Sequence, residues 1–188
     1  PALMTMYTKY FAKHNLLIAQ CLLLRNDFTD RERYDNSIRT IEGLLVAGVL
    51  PIINENDVVA MEDLTVGDND LLAAMVAVAL KADKLILLTN QKGLYTVNPE
   101  TDANARLIPV VQNVDKQFEK MFSSPPSLLG RGGILSKVRA AKHAVHAGIE
   151  SYIADGDEKG ILVKILEGQE VGTRFVPLAK RPKNAQQA

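Results

Sequence analysis

Cysteine is almost absent from the chain. Cys21 is the only one in 188 residues, and a single thiol offers no disulfide framework. It sits in the apolar run Leu16 to Leu24, which reads as a buried strand, so it reads as a core residue rather than a nucleophile. A reducing cytosol is the simplest compartment, and the expected localisation is cytoplasmic. An excess of either charge is absent too. Lys plus Arg total 22 and Asp plus Glu total 22, which removes the bulk electrostatic case for a nucleic-acid or other polyanionic partner. No apolar run is long enough to span a bilayer, no signal peptide is legible, and the pattern shows neither an internal repeat nor a second-domain boundary. The length fits one ordinary domain, and the 47% hydrophobic content suffices for a substantial core. The chain opens at Pro1 without an initiator Met, inside a helix-like segment, so the protein is expected to begin earlier.

What is present is an alternation of strand and helix patterns. Leu3, Met6, Tyr7, Tyr10 and Phe11 recur at helical spacing, so residues 1–14 read as an amphipathic helix. Leu16 to Leu24 follows as a strand. Asp30 is placed to cap a helix from Arg31 to Ala47 that ends at Gly48, with Ile38, Ile41, Leu45 and Val49 as its apolar stripe. Val49 to Ile53 is the next strand, and Asn54 to Gly67 a polar loop. Asp68 or Asn69 caps a helix ending near Ala82. Leu85 to Leu88 is a short strand, Thr89 to Pro99 a loop, and Arg106 to Val111 another short strand. Two prolines and three glycines make Ser123 to Gly133 an irregular loop. A helix over Ile134 to Ala147, a strand over Glu150 to Ala154, a short helix over Lys159 to Leu166 and a strand over Gly172 to Val176 complete the series. The fold class is therefore α/β, with a largely parallel sheet sandwiched by helices. Residues 1–176 are read as the domain and 177–188 as a polar tail, expected to be disordered.

Two acidic-amide clusters stand out. Asn54-Glu55-Asn56-Asp57 follows an apolar strand, and Gly67-Asp68-Asn69-Asp70 precedes the helix-like run Leu71 to Leu80. A strand that ends in polar groups and a helix that opens with them make two walls of a crevice. Open α/β sheets bind ligands in such crevices, beyond the carboxyl ends of their strands. Turn formation and helix capping account for part of this polarity. They do not account for Asp68, Asn69 and Asp70 together beside a second acidic cluster. The pattern points to a small polar ligand, such as an amino acid, held by several hydrogen bonds. Converging carboxylates repel unless a cation intervenes; a lysine, an amino group or a magnesium nucleotide would each serve.

The stretch Gly130-Arg131-Gly132-Gly133-Ile134-Leu135-Ser136-Lys137 is a glycine-rich loop entering a helix. Glycines let backbone amides approach an anion, the helix N-terminus adds partial positive charge, and Lys137 is placed to reach back to the same anion. Leu135 stands where a Walker A loop and a dinucleotide fingerprint each require glycine, so neither pattern is met. A flexible surface turn explains the same composition about as well. Thr89 and Asn90 end a strand, where a nucleotide would lie, although an ordinary strand exit looks the same. Asp155 to Gly160 fails as a calcium loop, with Lys at the fifth position and Leu166 at the twelfth. His143 and His146 lack further ligands and read as surface residues rather than a zinc site. Asp27 to Asp35 reads as a solvated, mixed-charge helix start.

Taken in order, these segments resemble the amino acid kinase family, and within it the glutamate 5-kinases. The resemblance rests on Pro51-Ile52-Ile53-Asn54-Glu55-Asn56-Asp57, Gly67-Asp68-Asn69-Asp70, Leu87-Leu88-Thr89-Asn90-Gln91-Lys92-Gly93-Leu94-Tyr95, and Gly132-Gly133 followed by Lys137. The closing Glu167-Gly168 and Val171-Gly172-Thr173 also fit, and the match runs from the first helix to about Phe175. The resemblance implies ATP-dependent phosphorylation of the L-glutamate side-chain carboxylate, giving γ-glutamyl phosphate and ADP in the first step of proline biosynthesis. By motif position, Asp57, Asn69 and Asn54 would hold glutamate and Asp70 would position the catalytic lysines. Thr89 and Asn90 would contact ATP. Arg131, Gly132, Gly133, Ile134, Leu135, Ser136 and Lys137 would wrap its phosphates, with Lys137 neutralising charge on the transferred group. Mg2+ is expected on ATP oxygens and water, and no residue is assigned as a metal ligand. Feedback inhibition by proline and a homo-oligomer are implied; no nucleic-acid or membrane partner is.

The chain departs from the family pattern at Asn90, where Asp is usual, and at Arg131, where Thr is usual. Both changes fall in the expected nucleotide site and remove acidity or add positive charge. The family's opening strand, its phosphate loop with a second lysine and its serine-containing glutamate loop are expected upstream of Pro1. The C-terminal RNA-binding-like domain of many bacterial members is not in this sequence. Two other readings stay open: a small-molecule kinase of the same fold acting on another carboxylate or phosphate, and a catalytically weak regulatory subunit that binds glutamate or proline.

Overall fold

The computed structural model describes residues 2–56, 69–122 and 131–177. The chain divides into two compact units, Pro1–Leu72 and Ala73–Ala188.

In the first unit, helix α1 (Ala2–Ala12) is followed by strand β1 (Leu17–Leu23), a 3-10 turn (Arg25–Phe28), helix α2 (Arg31–Val46) and strand β2 (Val49–Glu55). The strands pair in parallel, from Leu17 opposite Val49 to Leu23 opposite Glu55, with α2 as the crossover that parallel pairing requires. Local chemistry makes the joints. Asn15 adopts the left-handed conformation (φ 56°), and the Leu16 amide reaches back to the Phe11 carbonyl at 3.1 Å, closing α1. The Asp30 carboxylate accepts from the Arg33 amide at 2.9 Å, the cap expected there. Gly48, at φ 72°, releases the chain from α2 into β2.

Three expectations for this unit are corrected. The run Leu16 to Leu24 is a strand but not a buried one: Leu17 is 70% exposed and Leu22 46% exposed, and Cys21 is half-buried. Burial still raises the Cys21 thiol above its ordinary pKa. Two strands bury each other along an edge only, so their faces need further layers. Of the helix stripe, Ile38 and Ile41 are buried while Leu45 is exposed. Asp27 is buried rather than solvated. It accepts from the Leu24 amide at 2.6 Å and from Arg33 Nε at 2.9 Å, so it fastens the turn after β1 to α2.

Helix α3 (Asn69–Ala79) carries the division between the units. The second unit continues with β3 (Lys84–Thr89), β4 (Val110–Val111), α4 (Lys116–Met121), α5 (Arg131–His146), β5 (Glu150–Asp155), α6 (Ile161–Leu166) and β6 (Thr173–Phe175). Four strands lie in the order β3-β5-β6-β4. β3 pairs with β5 and β4 with β6 in parallel; β6 runs antiparallel to β5. Successive residues feed opposite faces. Leu85, Leu87 and Ile153 enter a core with Ala74, Ala77 and, from α5, Val138, Ala141 and Val145. Tyr152 and Ala154 pack on Ile161 and Ile165 of α6. Helices therefore cover both faces, as the alternation implied, and β5 is buried from Glu150 to Ala154.

One end of this sheet is tied by charge. Glu150, at the start of β5, accepts from Lys84 at the start of β3 and from Arg174 of β6, whose Nε lies 2.8 Å from Oε1. The Tyr152 hydroxyl donates to Oε2 at 3.3 Å. Burial works to raise the Glu150 pKa, but hydrogen bonds from Lys84 and Arg174 outweigh it, and the carboxyl lies below its ordinary range.

Other boundaries moved. The strand expected over Arg106 to Val111 shrinks to Val110–Val111. Residues 106–108 bond instead to 94–96, with Thr96 N to Arg106 O at 3.0 Å and Ile108 N to Leu94 O at 2.8 Å, and Pro109 has no amide to extend a ladder. Helix α4 was not foreseen, although its signals were present: Asp115 accepts from the Phe118 amide at 2.7 Å, and the Phe118 ring packs at a tilt on that of Phe122, with centroids 5.2 Å apart. Pro177, the first residue of the expected tail, is fully buried. Residues 178–188 lie outside the described residues.

Candidate functional site

Strand β3 delivers its last residues, Leu88 and Thr89, to the edge of a cavity of about 550 Å³, within the ~300–1,000 Å³ typical of small-molecule sites. One wall is the segment that leaves the strand, Asn90 and Gln91 and then Leu94 to Glu100. Gly133, Ile134 and Lys137 of α5 form a second wall, and Met121 and Phe122 at the end of α4 a third. The position is the one α/β sheets use for ligands, beyond a strand's carboxyl end and beside a helix N-terminus. Apolar side chains such as Leu88, Leu94, Val97 and Phe122 suit a flat apolar ring. Thr89, Asn90, Gln91 and Asn98 supply polar groups, and Thr89 Oγ1 stands 3.4 Å from Asn90 Oδ1. No acidic residue occupies the first turn of α5, so the helix end keeps its affinity for an anion. Glu119 of α4 bonds to Lys142 of α5 at 2.5 Å, which fixes the helix that carries Met121 and Phe122.

The cavity thus gathers Thr89, Asn90, Gly133, Ile134 and Lys137, five of the residues marked for ATP. It does not gather all of them. Leu135 and Ser136 are absent from its lining among the described residues. The reason is the helix boundary. Helix α5 begins at Arg131, three residues before the expected start, so Gly132 and Gly133 lie in its first turn rather than in a loop. At about 100° per residue, positions 133, 134 and 137 share one side while 135 and 136 turn away. Lys137 sits in the second turn, about 9 Å along the axis from Arg131 at 1.5 Å per residue, and leans back toward the N-terminus. Of Arg131 and Gly132 only the helical backbone is described. Sequence reasoning missed Gln91, Val97, Asn98, Met121 and Phe122. The first three lie in the loop already expected to meet the nucleotide; the last two depended on the unforeseen α4.

In the first unit, the expected polar loop starts later than its composition suggested. Asn54 and Glu55 are the last residues of β2, with Asn54 exposed and Glu55 buried. The Asn56 amide continues the pairing to the Leu23 carbonyl at 2.9 Å. Asp57, with the loop as far as Asp68, lies outside the described residues. Asn69 and Asp70 open α3, Asn69 exposed and Asp70 half-buried. Among the described residues no group of three or more His, Cys, Asp or Glu is placed to hold a metal ion. None of the described helices is long and apolar enough to cross a membrane.

The sequence model of the amino acid kinase family matches residues 2–155. The chain belongs to the amino acid kinase family. It is 42% identical over 177 residues to a glutamate 5-kinase from Trichlorobacter lovleyi, covering 94% of this chain and 47% of that protein. It is 47% identical over 171 residues to a glutamate 5-kinase from Methylococcus capsulatus, covering 91% of this chain and 46% of that protein. The chain therefore spans about half the length of the curated relatives it matches. Among solved structures it resembles isopentenyl phosphate kinase from T. acidophilum, with a TM-score of 0.61 at 20% identity over 93% of this chain and 66% of that one. It also resembles UMP kinase from Bacillus anthracis, with a TM-score of 0.57 at 12% identity over 87% of this chain and 58% of that one. At such identities the structural likeness establishes the α/β kinase fold alone.

Proposed function

We propose that the full-length protein performs the kinase chemistry of a glutamate 5-kinase, with residues 1–176 forming its catalytic domain apart from the opening segment expected upstream of Pro1. An oxygen of the L-glutamate side-chain carboxylate attacks the γ-phosphorus of ATP. The bond from that phosphorus to the β,γ-bridging oxygen breaks, and γ-glutamyl phosphate and ADP leave. The observation that carries this reading is the cavity where the end of β3, with Thr89 and Asn90, meets the α5 positions Gly133, Ile134 and Lys137. The names of the two relatives above support the choice of glutamate as acceptor.

The roles follow from chemistry. Phosphoryl transfer needs alignment and charge stabilisation more than covalent help. Thr89 and Asn90 hold the nucleotide, the first turn of α5 from Arg131 to Ile134 faces the phosphates with its free amides, and Lys137 neutralises charge on the transferring group. Asp57, Asn69 and Asn54 hold glutamate, and Asp70 orients the lysines. The described lining of the cavity holds one cation, Lys137, and one carboxylate, Glu100. That donor set fits Mg2+ carried by ATP oxygens and water rather than by a protein cage, and the ion would supply further neutralisation. Cytoplasmic location, feedback inhibition by proline and assembly as a homo-oligomer belong to the same proposal.

Product analysis tests it. The full-length protein, given ATP, Mg2+ and L-glutamate, should release ADP and form an acyl phosphate that hydroxylamine traps as the γ-hydroxamate. Aspartate and acetylglutamate should not substitute. Turnover with one of those instead of glutamate would reassign the acceptor, and glutamate binding without ADP release would favour a regulatory role.

A further inference from the structure

We infer that Thr173 is a positioning residue for the nucleotide: its buried hydroxyl braces the cavity wall formed by residues 94–97. The inference rests on the assignment of that cavity to ATP. Thr173 is completely buried in β6, far in sequence from the cavity and not among its lining residues. Its Oγ1 accepts from the Leu94 amide at 2.8 Å and donates to the Ile108 carbonyl at 2.6 Å. The partner groups on those two residues already bond to each other, Ile108 N to Leu94 O at 2.8 Å. One hydroxyl therefore closes the base of the hairpin-like loop 94–108, doing for its two unpaired backbone groups what a third strand would do. Further out the pairing consists of one bridge, Tyr95 to Leu107, and two bonds between Thr96 and Arg106, from Thr96 N to the Arg106 carbonyl at 3.0 Å and from Arg106 N to Thr96 Oγ1 at 3.1 Å.

Leu94, Tyr95, Thr96 and Val97 all line the cavity. The Leu94 side chain is anchored in the core, but Thr96 and Val97 beyond it are exposed. A wall that must be ordered when ligand arrives lowers apparent affinity by the fraction of time it is competent. The hydroxyl keeps that fraction high. Gly93 allows it, because a Cβ there would stand 2.6 Å from Thr173 Oγ1.

The test compares Thr173→Val, which keeps shape and loses the hydroxyl, with Thr173→Ser, which keeps the hydroxyl. Titration with a non-hydrolysable ATP analogue should show about tenfold weaker binding for the Val variant, near-parental binding for the Ser variant, and an unchanged KM for glutamate in both. A Val variant that melts lower but binds the analogue as the parent does would show a merely structural role and overturn the inference. Amide exchange of the unsubstituted protein gives an independent reading should the Val variant not fold. The Leu94 amide should exchange far more slowly than the amide of exposed Val97, and an equally fast Leu94 amide would overturn the inference. The analogue should also slow exchange across residues 94–97. If it leaves them unaffected, the nucleotide assignment itself fails; if it protects them while Thr173→Val binds normally, only the brace fails.

Discussion

Gly93 lies directly against Thr173. A Cβ on residue 93 would come within 2.6 Å of Thr173 Oγ1 and 3.0 Å of its backbone nitrogen. The neighbouring Thr173 backbone belongs to β6, which is hydrogen-bonded on both sides and has little room to retreat. Gly93→Ala must therefore shift the strand or break the bond between Leu94 and Thr173. Overpacking of this kind costs about 1–3 kcal/mol. Urea unfolding should show a lower midpoint with an unchanged slope; a midpoint equal to the parent's would mean that the loop absorbs the methyl without strain.

Lys137 shares the cavity-facing side of α5 with Gly133 and Ile134. Its ammonium is the described cation of that lining, so its loss should be felt where charge builds up. Lys137→Met is expected to lower kcat by ~10²–10³-fold, the usual cost of removing a preorganised charge from a transferring group. The KM for glutamate should change little. Steady-state kinetics with each substrate varied in turn decide it, and a near-normal kcat would remove Lys137 from the chemistry.

Much of this was legible in the sequence because local signals and tertiary structure agree. Asp30 and Gly48 bracket α2 as cap and stop, and the alternation of β3 and β5 splits their side chains between two cores. Sequence reasoning failed where a local signal was ambiguous. Gly132 and Gly133 are poor helix formers, yet they occupy the first turn of α5, where few intrahelical bonds are at stake. Asn54 and Glu55 read as loop by composition but pair with Leu22 and Leu23, because register, not polarity, extends a strand. Helix α4 is six residues long, too short for periodicity to reveal. The brace at Thr173 was not legible at all, since it joins positions 79 and 65 residues apart.

Asn69 is the first residue of α3 and its side chain is exposed. In the proposed reaction it bonds to glutamate. A hydrogen bond to a charged group contributes about 1.5–3 kcal/mol, so Asn69→Ala should raise the KM for glutamate roughly tenfold or more and leave the KM for ATP in place. A selective change in the ATP constant would mean that the two substrate sites have been exchanged.

Gly133 lines the cavity from the first turn of α5, and a Cβ there would meet no atom within 4 Å. The fold itself therefore does not need glycine at this position. Gly133→Ala should stabilise the protein by about 0.4–1 kcal/mol, as such changes do where the backbone is already helical. The added methyl would at the same time keep phosphate oxygens from the amides of the helix end. The expected pattern is a higher melting temperature with weaker ATP binding. A rise in melting temperature with unchanged ATP affinity would place the phosphates elsewhere.

Glu150 links the stability of the second unit to pH. Burial opposes its charge, but the bonds from Lys84 and Arg174 prevail and hold its pKa below the ordinary value of 4.5. The sign follows from this direction. Above 4.5 the carboxylate is charged in both folded and unfolded chains, and its stabilising contribution is complete. As pH falls through that value the unfolded chain takes up a proton first, so the contribution declines and is gone once pH has passed below the folded value. The Lys84 and Arg174 pKa values are raised, first by the bond to Glu150, and neither group titrates in this range. Arg174 is 45% exposed on its side chain, so solvent screening reduces the effect. Unfolding free energy measured by urea from roughly pH 6 down to pH 3 should fall more steeply for the parent protein than for Glu150→Gln. The Gln variant should be less stable at neutral pH, where Lys84 and Arg174 lose a charged partner, and the two curves should converge toward acid. Parallel curves would show that Glu150 keeps its charge unchanged on unfolding and that the clamp contributes nothing to acid sensitivity.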